Sequence, residues 1–284
     1  MGTALSSVEV MNSRSREQSW RAWISSCFDG DVSQHVVWSD CRPGSDHSTQ
    51  RSFVINRPLS TVPGTVWTPS GRSGAVPLVL LGHGGGGHRH SDRILSMADR
   101  ITSSGCAAVA IDGPFHGERV ASPLTPVEYQ SRMAAEGIGR VLDHMADDWV
   151  AARDLLVEVG TAAPTRQAYF GLSMGTRFGL AAALALGPGL KCAVFGKFGT
   201  QSTPGINAGL HAPHRVLSDA SAITAPVLFH VQWDDEIFPR QGQLQLFDAF
   251  ASSGKELHGF AGGHRHTPEH ASAVWHGFIN RHIA

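Results

Sequence analysis

The run Val76–Leu81 (VPLVLL) is apolar at every position. A strand with one wet face alternates apolar and polar residues. A continuous apolar run needs cover on both faces, which marks a strand inside a parallel sheet. Cys106–Ile111 (CAAVAI) repeats the pattern, and Gln167–Phe170, Leu190–Phe195 and Val227–Val231 read as further strands. Helical spacing fills the gaps. Ser91–Thr102 puts Ile94, Leu95, Ala98 and Ile101 on one face, with Ser91 at the N-cap position. Ile138–Val157 steps its apolar residues by three and four, and Ser173–Leu186 is a helix of small residues. Gln241–Phe250, the strand Glu256–Phe260 and the helix Glu269–Ile283 close the series, while Arg51–Asn56 and Thr65–Thr68 read as early strands. The alternation predicts an α/β fold: a mostly parallel central sheet of about eight strands with helices on both faces.

Composition narrows the function classes. The 284 residues are 42% hydrophobic and 17% charged, a balance that excludes disordered and fibrous chains. Lys+Arg 23 against Asp+Glu 24 leaves a net charge of −1, so no basic field draws nucleic acid or anionic lipid. The four cysteines, Cys27, Cys41, Cys106 and Cys192, show no metal or redox spacing. Cys106 and Cys192 sit in apolar runs and read as buried thiols, which points to a reducing, cytoplasmic setting. The N-terminus lacks the pattern of a secretory leader, and no apolar run reaches the length of a membrane span. Gly2 with Ser6 formally fits a myristoylation pattern that arises easily by chance. Residues 1–50 are Ser-rich and read as an N-terminal extension with a helix around Trp20–Cys27; residues 51–284 read as one domain.

In such sheets ligands bind beyond the carboxyl ends of the strands. After Phe170 comes Gly171-Leu172-Ser173-Met174-Gly175, the one G-x-S-x-G in the chain, set between strand and helix. Glycines two residues either side let strand and helix cross, and the serine hydroxyl is held out on a sharp turn. After Leu81 comes Gly82-His83-Gly84-Gly85-Gly86-Gly87, whose backbone N–H groups can face an oxyanion. After Val231 come Asp234, Asp235 and Glu236, and after Phe260 come Gly262-Gly263-His264-Arg265-His266. A nucleophile, an acid and a base thus follow successive strands in the order Ser, Asp, His. The residues alone leave the acid between Asp234 and Asp235 and the base between His264 and His266.

These motifs, together with Ile111-Asp112-Gly113-Pro114-Phe115-His116-Gly117, resemble the α/β-hydrolase superfamily, most closely its dienelactone-hydrolase-like and small-esterase branches. The resemblance covers about residues 60–284. It implies Ser173 as nucleophile, Asp235 as acid and His264 as base, with the Gly85 and Met174 amides as oxyanion donors. Dienelactone hydrolases proper use a cysteine nucleophile, so Ser173 favours esters or lactones generally. No insertion the size of a long cap domain separates the later strands, so a minimal cap is expected, with residues 113–136 and 196–213 the only stretches able to cover the site. Phe115, His116, Trp233 and Phe238, with Phe195 and Phe198, follow strand ends and are expected around the substrate. The reading is a serine hydrolase of a small, moderately apolar carboxylic ester, lactone or thioester, with no cofactor, no metal, no nucleic-acid partner and no membrane. The oligomeric state is not readable from the sequence.

Three rivals share parts of these motifs. Gly82-x-Gly84-x-x-Gly87 followed by Asp112 matches a dinucleotide fingerprint, although polar His88-Arg89-His90 separates the glycines from the helix. His88, His90 and Asp92, with His264, His266 and His270, offer ligands to a metal-dependent hydrolase. A hydrolase scaffold serving only as a ligand-binding protein is the third.

Overall fold

The computed structural model describes residues 35–57 and 60–283. Among them ten strands form a single sheet. They are β1 (Val36–Trp38), β2 (Arg42–Ser45), β3 (Ser48–Asn56), β4 (Thr61–Pro69), β5 (Val76–Gly82), β6 (Ala107–Ile111), β7 (Ala162–Gly171), β8 (Leu190–Gly196), β9 (Val227–Gln232) and β10 (Lys255–Phe260). The helices are α1 (Asp92–Ser103), α2 (Pro126–Glu136), α3 (Ile138–Glu158), α4 (Met174–Leu186), α5 (Pro213–Ala222), α6 (Arg240–Ala249) and α7 (Ala271–Ile283).

The sheet order is β1-β3-β4-β6-β5-β7-β8-β9-β10, with β2 paired to β3. Antiparallel pairing joins β2 to β3, β3 to β4 and β4 to β6. From β6 to β10 every neighbour is parallel. The all-apolar runs are where the sequence places them: every residue of β5 and β6 is buried, as is every residue of β9. On one face α1 and α7 cover a core that includes Val79, Leu81, Phe170, Trp275 and Phe278. On the other, α3 packs on α4, and Trp149, Tyr169, Phe195 and Phe250 meet ring to ring. The chain leaves β5 for β6 on one side and returns for β7 on the other. The order therefore reverses between β5 and β7, the point outside whose carboxyl strand ends ligands bind in open α/β sheets. The Gly-rich segment and Ser173 both follow these two strands.

The structure differs from the sequence expectation in places. There are ten strands rather than about eight, because the antiparallel flank begins at Val36. The division expected at residue 50 therefore falls inside β3, and the helix expected around Trp20–Cys27 lies outside the described residues. Ser91 holds the N-cap position of α1, but its side chain makes no cap bond there. Its hydroxyl turns back to the preceding loop, accepting from the His88 amide (2.7 Å) and donating to the His88 carbonyl (2.8 Å). Helix α2 was not anticipated. Its signal is Thr125-Pro126-Val127-Glu128: Pro126 occupies the first turn, and Thr125 and Glu128 form a reciprocal capping box. Among the described residues no helix is long and apolar enough to cross a membrane.

Candidate active site

Ser173 closes the turn between β7 and α4 with φ 59° and ψ −117°, a conformation sparsely populated by non-glycine residues. Such strain costs about 1–3 kcal/mol and persists only where the surroundings over-determine it. They do so here. The Ser173 amide donates to the Gly196 carbonyl (2.8 Å). Thr176 Oγ1 bridges the Gly171 and Gly196 carbonyls at 2.8 Å each, and Tyr169 donates to the Gly175 carbonyl (2.8 Å). A Cβ on Gly171 would stand 2.6 Å from the Gly175 carbonyl oxygen, and one on Gly175 2.6 Å from that of Gly82. Both glycines are required by close backbone approach.

Ser173 Oγ lies 2.9 Å from His264 Nε2, and His264 Nδ1 lies 2.8 Å from Asp235 Oδ2. The Asp235 side chain is sealed from solvent, and its second oxygen accepts the Ile237 and Phe238 amides at 2.9 and 2.8 Å. A carboxylate facing Nδ1 fixes the proton there and leaves Nε2 free to accept. The neighbouring acids serve the backbone of the histidine loop instead. Asp234 accepts the Gly262 amide (3.0 Å), and Glu236 accepts the His264 amide (2.7 Å), a bond that holds the Glu236 carboxyl below its ordinary range. His266 is exposed; its backbone carbonyl, not its ring, enters the network.

The Gly-rich loop lies beside this chain of groups. A Cβ built on Gly85 comes within 3.9 Å of Met174 Cβ, so the two residues expected to supply the oxyanion donors are neighbours. Met174 opens α4 and has no acceptor within the helix. His83 holds the loop from behind. The Gly113 amide donates to its Nε2 (2.8 Å), so Nδ1 carries the proton that meets the Gly84 carbonyl (2.9 Å). Burial, reinforced by His116, lowers its pKa to about 4 and keeps it in this neutral tautomer.

Several supporting residues escaped the sequence reading. Lys197, 1% exposed, spends all three ammonium donors on the His264 carbonyl (3.0 Å), the His266 carbonyl (2.6 Å) and Thr267 Oγ1 (2.7 Å). Gln232 donates to the Ala261 and Gly262 carbonyls at 2.8 Å each. A lysine or glutamine at a strand end carries no motif. The available signal was a charged residue directly after an apolar strand, where water alone could not satisfy it.

The residues expected around the substrate divide. Phe238 packs on His264 with ring centroids 5.7 Å apart, and Phe198 packs on Phe238 at 4.9 Å. His116 faces the Gly85 carbonyl (3.0 Å) and packs against Tyr129 of α2 with ring centroids 4.5 Å apart. Phe115 is half-buried with φ 62°. Trp233 is 46% exposed and lies under Arg240, its ring against Gly259. Phe195 is a core residue stacked on Phe250. The two stretches expected to cover the site meet each other: the Asn207 amide donates to Gln130 Oε1 (2.7 Å).

The rival motifs are engaged elsewhere. Asp112 is buried and paired with Arg89, and it accepts the Arg89 and Glu118 amides at 2.9 Å. His90 Nε2 bonds Thr65 Oγ1 (2.9 Å), and His88 Nδ1 accepts the His90 amide (3.1 Å). Among the described residues no three His, Cys, Asp or Glu side chains gather as a metal ion would require.

No protein-family model and no curated protein matches the chain. Solved structures do. A cold-adapted esterase from an Arctic intertidal metagenomic library, in a polyethylene-glycol complex, is 30% identical with TM-score 0.75, over 87% of this chain and 100% of that one. Its native form gives 28% identity and TM-score 0.70 over the same shares of the two chains. An acetyl xylan esterase from Paenibacillus sp. R4 shares the fold at 19% identity and TM-score 0.72, over 97% of this chain and 96% of that one. The identity and coverage of the first, on a sheet of this order with a serine at the β7 turn, place this chain in the α/β-hydrolase superfamily, among its esterases.

Proposed function

We propose that the protein hydrolyses small carboxylic esters, lactones or thioesters through an acyl-enzyme formed on Ser173. The observation that carries this reading is the unbroken line Asp235–His264–Ser173, with bonds of 2.8 and 2.9 Å, ending on a strained serine beside the Gly-rich loop. His264 Nε2 takes the hydroxyl proton as Ser173 Oγ attacks the ester carbonyl, and Asp235 steadies the imidazolium that forms. The Gly85 and Met174 N–H groups receive the charge on the former carbonyl oxygen. His264 returns its proton to the leaving alcohol, then activates a water that cleaves the acyl-enzyme. Phe238 and Phe198 offer an apolar wall to the bound group. These steps call on no cofactor.

The test is turnover of a short aryl ester by the wild type and by Ser173→Ala, in buffer with and without EDTA. Loss of the nucleophile leaves only oxyanion-hole and binding effects, so kcat should fall about 10⁴-fold or more. A variant keeping a tenth of the activity would refute the assignment. Inhibition by EDTA that zinc reverses would favour the metal-dependent alternative at His88 and His90.

A further inference from the structure

Arg177 lies one helical turn beyond Ser173 on α4, its amide donating to the Ser173 carbonyl (3.1 Å). Helical side chains lean toward the helix N-terminus, so this one reaches back toward the Ser173 turn. The residue is 8% exposed. Among the described residues its guanidinium makes no hydrogen bond and no ion pair. Arg89, the other buried arginine described, is held between Asp112 and Glu118. What surrounds Arg177 is aromatic. Its Cζ stands 5.2 Å from the Phe198 ring centroid, and its titratable neighbour is the Tyr129 phenol. None of its nitrogens is sealed from solvent, so the group opens onto reachable space. Burial lowers its pKa to about 10, which leaves it a cation at neutral pH.

Those neighbours locate that space. The Tyr129 hydroxyl occupies the place a Cβ on Gly85 would take, next to the expected oxyanion site. Phe198 packs on Phe238, which packs on His264. The cation thus stands between the oxyanion side and the acid–base side of Ser173. A buried cation with no counter-charge is costly in the free protein, and a bound anion offsets that cost. The planar guanidinium fork matches a carboxylate.

Resting on the ester-hydrolase reading, we propose that Arg177 determines specificity: the substrate is an ester that carries a carboxylate, and that group pairs with this guanidinium while the ester carbonyl sits at Ser173. Phe198 and Phe238 take the apolar body between the two polar ends.

Two matched pairs of esters separate the sources of the anion. Aryl hydrogen glutarate against aryl valerate places the carboxylate on the acyl side. The acetate ester of 4-hydroxybenzoate against that of 4-methylphenol places it on the alcohol side. In one pair the wild type should prefer the anionic member by about 10-fold or more in kcat/KM, the scale of a buried charge-assisted hydrogen bond. Arg177→Met should bring that ratio toward one, and Arg177→Lys should retain part of it. Absence of preference in both pairs, or its survival in Arg177→Met, overturns the proposal while leaving the esterase reading intact. If no member of either pair, anionic or neutral, is cleaved, the esterase reading itself fails. The anion site is then judged by calorimetry with glutarate and 4-hydroxybenzoate. At least one should bind the wild type and lose about 10-fold or more in Arg177→Met, and binding of neither, or equal binding to both proteins, overturns the proposal. Arg177→Met should melt at or above the wild type. A variant that melts well below it marks a structural arginine and also overturns the proposal.

Discussion

Asp234, Asp235 and Glu236 are consecutive acids with three different partners, so substitutions there should separate sharply. Asp235 alone meets the imidazole, and its second oxygen is held by two amides. Asp235→Asn keeps the shape but presents an amide to Nδ1 and favours the wrong tautomer, so kcat should fall about 10³–10⁴-fold. Asp234→Asn keeps an acceptor oxygen for the Gly262 amide and should cost less than about threefold, within the range of ordinary surface changes. Steady-state kinetics on the two variants checks this, and equal losses would contradict the assignment. The duplication made these acids indistinguishable by residue type, and only the resemblance to a known family separated them. Arg177 shows the reverse limit. A sequence cannot reveal that an arginine lacks a partner, because that depends on where every carboxylate lands.

The turn after β7 and the loop after β10 are the elements that set the geometry. Gly171→Ala would drive a methyl to 2.6 Å from a backbone oxygen that cannot move aside, whereas a Cβ on Gly277, inside α7, meets nothing within 4 Å. The first should destabilise by about 1–3 kcal/mol, as overpacking does. The second should stabilise by about 0.5–1 kcal/mol through lost freedom of the unfolded chain. Denaturant melts compare the two, and the same sign for both would contradict the structure. The histidine loop hangs on Lys197, whose pKa burial lowers to about 8. Between about 8 and the unfolded value the unfolded chain binds more protons, so this group favours folding increasingly as pH rises through that window. Activity should move the other way, because the neutral amine keeps two donors for three acceptors. The wild-type kcat should therefore decline above about pH 8. Lys197→Met should be slower throughout by about 10–100-fold, as small misplacements of a base are, and should lack that decline. Superimposable pH profiles would show that the clamp does not act on His264.

Over the whole molecule the parallel half of the sheet was legible because burial on both faces leaves no polar side chain in β5 or β6 and a four-in-six apolar strand at β9. The antiparallel flank was not, because β1 and β2 are short and half exposed, with no apolar period. The strand ends that carry Ser173, the acid and the histidine could be read because they lie on the same edge of the sheet; the choice of Asp235 and His264 within them came from the family resemblance. Lys197 and Gln232, which hold the histidine loop, belong to no motif, and the support that His83 gives the Gly-rich loop emerges only when it meets Gly113. Cys106 and Cys192 read as core and are buried, and burial pushes the Cys192 thiol up to about 12. Of the three described cysteines, therefore, Cys41 should react with a thiol reagent in the native protein, and Cys106 and Cys192 only on unfolding; rapid native labelling of either would mean a looser core. The central claim is that the fold makes one serine nucleophilic. Its most direct test is intact-protein mass spectrometry, followed by peptide mapping, after treatment with a fluorophosphonate. The account predicts a single adduct on Ser173 in the native protein, absent from Ser173→Ala, absent after unfolding and strongly reduced in His264→Ala. An unlabelled native protein, or an adduct that persists in Ser173→Ala, would contradict it.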